Sequence, residues 1–101
     1  MTQITITRHP TPTGGDYRAA VEGETATGLL TWQNAPGHVW IADLTLVPSA
    51  IGGRGVAGAL VEALVADARE AGAKILPSCS YVAAAFKRHP EWEDLRAGTD
   101  F

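Results

Sequence analysis

The chain has 101 residues, 46% of them hydrophobic, which suits one domain (residues 1–101) with a single core rather than two. With 8 Lys+Arg against 11 Asp+Glu, a net charge of −3 and no basic cluster, neither nucleic acid nor an anionic membrane is an expected partner. No apolar run reaches bilayer-spanning length, the start Met1-Thr2-Gln3-Ile4 lacks the charged and apolar parts of a leader, and the single Cys79 has no internal disulfide partner, so the expected compartment is the cytoplasm.

Residues 3–8 alternate, with Ile4 and Ile6 on one side and threonines on the other, the pattern of a half-buried strand. His9-Pro10-Thr11-Pro12-Thr13-Gly14-Gly15 is expected to break it. Tyr17, Ala19 and Val21 mark the apolar face of a second strand, which Glu22-Gly23-Glu24 turns into a third containing Ala26, Leu30 and Trp32; these two should form a hairpin. Asn34-Ala35-Pro36-Gly37 is turn chemistry, after which residues 38–47 read as a fourth, longer and more apolar strand, placed centrally in the sheet. Val56, Leu60, Val61, Leu64, Val65 and Ala68 share one face at helical spacing, and Gly72 supplies the stop. A fifth strand at residues 73–77 leads to a second helix at about 80–89, with Val82, Ala85, Phe86 and His89 on one face. Trp32, Trp40 and Trp92 are dispersed, as packing residues are. Antiparallel strands running into a strand-helix-strand crossover give an α/β (α+β) domain with a mixed, mostly antiparallel sheet of about five strands and two main helices.

The stretch with chemical content is Ile51-Gly52-Gly53-Arg54-Gly55-Val56-Ala57-Gly58, between the fourth strand and the first helix. Phosphate oxygens need several N–H donors converging without a Cβ in the way; glycines allow that approach, and a helix N-terminus adds unpaired N–H groups and a partial positive charge. A P-loop requires Gly-Lys-Ser/Thr, whereas Gly58 is followed by Ala59 and Leu60. Gly53, Gly55 and Gly58 satisfy G-x-G-x-x-G, but Pro48-Ser49-Ala50-Ile51 separates them from the strand and no acidic residue ends the next one, against a dinucleotide fold. A tight strand-to-helix connection with no ligand is the plain alternative.

From Ile41 to Gly72 the chain resembles the central motif of the GNAT superfamily of acetyltransferases, in which a strand and short loop lead into R/Q-x-x-G-x-G/A. Gly52 stands where the family has Arg or Gln; Gly55 and Ala57 match the G-x-G/A pair. Lys74-Ile75-Leu76-Pro77-Ser78-Cys79-Ser80-Tyr81-Val82 and Arg88-His89-Pro90-Glu91-Trp92 extend the resemblance to a minimal, single-domain GNAT-like subgroup. Where that subgroup has a His-Thr-Glu-Val type strand end, this chain has Leu44, Thr45, Leu46 and Val47, so a substrate-side role of that His or Glu does not carry over. The resemblance implies a GNAT-like sheet lacking the usual N-terminal helix pair, for which residues 8–16 leave too little chain. One flank of the acceptor site would then be open or supplied by another subunit, in a monomer or weak homodimer.

The same resemblance implies acetyl-CoA as co-substrate, its pyrophosphate held by Gly52, Gly53, Arg54, Gly55, Val56, Ala57 and Gly58, its pantetheine arm by the main chain of Leu46 and Val47. It also brings Cys79 close to the thioester and makes Tyr81 the candidate proton donor to the departing thiolate, the alternative being a packed aromatic with its hydroxyl at the surface. Cys79 falls where a helix begins, which favours thiolate; it either takes the acyl group, lines the slot, or is simply a small buried residue. Asp43, between Ala42 and Leu44, is a candidate base for the amine, directly or through water, with a pKa raised if it is buried; the alternative is an idle group at the sheet surface. His38 adjoins a turn and His89 a helix end, and no His or carboxylate pair has ligand spacing, so no metal is expected. The expected activity is N-acetyltransfer to an amine, small molecule or protein; a non-catalytic coenzyme A-binding or interaction module is the alternative.

Overall fold

The computed structural model describes residues 3–97. Five strands, β1 (Ile4–Thr11), β2 (Gly14–Val21), β3 (Thr27–Ala35), β4 (Val39–Leu46) and β5 (Lys74–Pro77), form one sheet in chain order. The first four pair antiparallel and β5 joins β4 in parallel, through helix α1 (Val56–Ala71). Helix α2 (Ser80–Arg88) and a 3₁₀ turn (Pro90–Leu95) follow. This is the expected mixed sheet with two main helices.

The six apolar positions of α1 named from spacing are the six that the helix buries, and Gly72 caps it with φ 73°. Their partners are Tyr17, Ala19, Val21, Leu30, Ala42 and Ile75 on one face of the sheet, with Val82, Ala85, Phe86 and Trp92 closing the same core. Trp40 and Trp92 are buried, while half-buried Trp32 stacks on Trp40 at 4.0 Å. Gly28 lets α1 come close: a Cβ there would lie 2.7 Å from Val56 Cγ1. Among the described residues the opposite face carries no helix. Arg18, Leu29, Thr31, Gln33, Ile41 and Asp43 on that face are exposed or half-buried.

Two local expectations change. β1 does not stop at Arg8; it runs to Thr11, with Pro10 opposite Gly15, and only Pro12 and Thr13 separate it from β2. The reason is position: β1 is an edge strand, where a missing N–H interrupts no inner ladder. That tight hairpin also leaves no helix pair between the first two strands, as the resemblance implied. His89 does not continue α2 but sits at its C-cap, its ring stacked on Trp92 at 4.0 Å.

Candidate functional site

The site begins where two strands part. β4 and β5 are paired from Val39↔Lys74 to Ala42↔Pro77, and the last link is the Cys79 N–H donating to the Ala42 carbonyl at 2.9 Å. Beyond Ala42, β4 keeps β3 on one side and, among the described residues, has no strand on the other. The parting coincides with a bulge. Trp32 faces Ala42 and Thr31 faces Leu44, leaving Asp43 as the extra residue. Both Ala42 and Thr45 are buried, while Asp43 and Leu44 are exposed on the helix-free face. A bulge re-aims side chains and ends pairing, and here it does both.

Cys79 is the N-cap of α2 and half-buried. Its Sγ lies 3.4 Å from the hydroxyl of Thr45, a buried polar side chain on β4. Burial pushes this thiol up, but the Thr45 hydroxyl and the backbone N–H groups of Tyr81 and Val82 outweigh it, and the net shift is downward. Those amides turn toward the sulfur without closing a capping bond. The cysteine therefore bridges the parted strands with a thiol biased toward thiolate. Tyr81, on the first turn of α2, is 51% exposed and has its ring at the surface.

The glycine loop follows the open half of β4 in the chain. A 3₁₀ turn (Ser49–Ile51) anchored by fully buried Ile51 leads into it. Gly53 and Gly55 take φ of 74° and 78°, the left-handed region open to glycine at least cost. A Cβ added at Gly53, Gly55 or Gly58 would meet no atom within 4 Å. Backbone bonding resumes with Ala59 N–H to the Gly55 carbonyl; among the described residues, the amides of 53–58 donate to no backbone carbonyl, no side chain caps α1, and its first turn holds no acid. Such a cradle suits an oxyanion. Arg54 turns away from it, donating to Glu24 at 3.2 Å across the β2–β3 turn. Gly52 is extended, and Val56 is buried beneath the loop. Leu46 is 55% exposed at the end of β4 and Val47 packs on the core.

Asp43 is exposed rather than buried, and its carboxylate is not idle. Thr31 donates to its Oδ1, and Gln33 Nε2 donates to its Oδ2 at 2.6 Å. Thr31, Gln33 and Thr45 were missed as site residues. Alternation on β3 puts Thr31 and Gln33 on the polar face, and the hairpin between β3 and β4 sets that face beside Asp43, so part of the signal was present. Thr45 carried none. His38 lies in the β3–β4 turn with φ 62°, away from this site. Among the described residues no three His, Cys, Asp or Glu side chains converge as metal ligands, and no helix is long and apolar enough to cross a membrane.

The sheet opens between its fourth and fifth strands and a glycine loop feeds α1, the arrangement that the resemblance to acetyltransferases implied. A family model described as GCN5-related N-acetyl-transferase matches residues 16–95, and the chain belongs to that family. A search of curated proteins found no match. The matched span runs from β2 through the last 3₁₀ turn and includes every site residue above.

Proposed function

We propose that the protein binds acetyl-CoA and transfers its acetyl group to an amine. The observation carrying this reading is the conjunction at one end of β4: unpaired loop amides, an opened strand edge and a thiol biased toward thiolate. When bound, the coenzyme supplies an activated thioester. The amides of 53–58 hold its diphosphate and the main chain of Leu46 and Val47 aligns its arm. Asp43 takes the proton from the amine, and Tyr81 gives one to the departing sulfur. Direct transfer is favoured over an acyl-Cys79 intermediate. Incubation with acetyl-CoA alone, followed by intact mass measurement, separates the two: direct transfer predicts no covalent gain, and a Cys79→Ala variant of full activity removes the acyl-enzyme.

The second reading, a coenzyme A-holding module without turnover, is favoured by the Arg54 pairing with Glu24. That pairing diverts the loop's guanidinium from phosphate. Calorimetric binding of coenzyme A with no product from any amine would support it.

A further inference from the structure

Among the described residues the exposed large hydrophobic side chains are Leu44, Leu46 and Tyr81, at 45%, 55% and 51% exposure, and all three border the parting of β4 and β5. Exposed apolar area gathered in one place marks a contact surface. On the helix-free face Leu44 and Leu46 are joined by half-buried Ile41 and Leu29. Two carboxylates lie on this face: Asp16, opposite Thr31 on β2, is engaged by a cation, whereas Asp43 pairs with no cation among the described residues and has both oxygens held from β3, by Thr31 and Gln33. Arg18, the arginine on this face of β2, is engaged by Asp16 at 3.2 Å.

From this we infer that the acceptor is a primary alkyl ammonium or aryl-alkyl ammonium without an adjacent carboxylate, received by Asp43 over an apolar floor, with Thr31 and Gln33 as positioning residues. The inference rests on the acetyl-transfer reading and specifies its acceptor. The chemistry runs in one order. Asp43 accepts one proton from the ammonium, freeing the nitrogen lone pair. That nitrogen bonds to the thioester carbonyl carbon, the C–S bond breaks, and the sulfur leaves with the bond's electron pair and takes a proton from Tyr81, which the second proton shed by the nitrogen restores. The products are an amide, a free thiol and one proton released from Asp43.

Each oxygen of Asp43 accepts one bond from β3 and keeps a lone pair for the incoming N–H. Two fixed donors also restrict the carboxylate to one orientation, where a free Asp on a solvent-facing strand would rotate. Orientation acts on the proton-transfer step more than on binding, because an exposed ion pair contributes little affinity. An acceptor carrying its own carboxylate beside the amine would set like charges against each other on this surface.

The test uses the full chain, acetyl-CoA, and three acceptors: n-hexylamine, tryptamine and glycine, corrected for uncatalysed acetylation. Expected are kcat/KM values for hexylamine and tryptamine at least tenfold above glycine, and a loss of a hundredfold or more in kcat for Asp43→Asn. Thr31→Val and Gln33→Leu should each lower kcat several-fold with KM for acetyl-CoA and thermal unfolding unchanged, and Thr31→Ser should restore the rate. Equal rates for glycine and hexylamine, or Asp43→Asn at wild-type rate, overturn the inference. Calorimetry separates the two levels of failure: heat with acetyl-CoA but no transfer to hexylamine or tryptamine sinks this inference alone, and no heat with acetyl-CoA sinks the acetyl-transfer reading with it.

Discussion

The two halves of β4 share a neighbour in β3 and differ in what lies on the other side. From Val39 to Ala42 the strand has β3 on one side, β5 on the other and α1 across one face, and Trp40 and Ala42 are buried there. From Asp43 to Leu46 it has β3 alone, and Leu44 and Leu46 stand in solvent. One strand thus serves as core and then as a short edge. Unpaired edges invite misassembly, and this one is only a few residues long and carries a bulge, two ordinary ways of blunting that risk. What the contrast teaches is that the site arises by withdrawing a neighbour: once β5 turns away at Pro77, β4's backbone becomes available on that side, and Cys79 fills the corner.

The largest effect expected from breaking this contrast is at the closed end. Leu64 is fully buried between α1 and the sheet, so Leu64→Ala should cost about 2–5 kcal/mol in urea unfolding, whereas Leu46→Ala on the open half should cost well under 1. A Leu46→Ala variant as unstable as Leu64→Ala would mean the open half is packed after all.

Next comes the alkaline limit. Tyr17 is buried, and burial together with its hydrogen bond to Asp67 at 2.8 Å raises its pKa, which Arg8 on the same carboxylate only partly opposes. The folded pKa lies above the unfolded one near 10, so the contribution is present below pH 10 and is lost as pH rises beyond it. Stability should fall by up to about 1.4 kcal/mol per pH unit there, and Tyr17→Phe should flatten that slope in unfolding curves at pH 9 to 11.

A smaller effect is expected in the loop. Holding a side chain at Gly55's φ of 78° costs about 1–2 kcal/mol, and the new Cβ would project into the cradle. Gly55→Val should weaken coenzyme A binding by about tenfold or more in calorimetry. Gly72→Ala, at φ 73° but at the far end of α1, is the control: it should lower stability and leave that affinity unchanged.

The smallest is at the corner itself. Thr45→Val removes the hydroxyl beside Cys79, so the thiol's pKa should move up, seen as a shift to higher pH of the iodoacetamide alkylation profile. No shift would place the lowering entirely with the amides of Tyr81 and Val82.

Much of this protein is legible one element at a time. The spacing of Val56 through Ala68 determines the buried face of α1, because a 3.6-residue period allows that set one common side. Gly72 determines where the helix stops, and alternation at Tyr17, Ala19 and Val21 determines which face of β2 is inward. Glycines at 53 and 55 likewise announce a loop that bends where other residues resist. Only the tertiary structure decides the rest. The bulge at Asp43 depends on how β3 and β4 match register, and a single extra residue there reverses which side chains are buried. Pairing of Arg54 with Glu24, of Asp43 with Thr31 and Gln33, and of Cys79 with Thr45 joins positions 30, 12, 10 and 34 residues apart. Local pattern carries backbone preference and polarity; it does not carry distance between segments, and the chemistry of this site depends on distance.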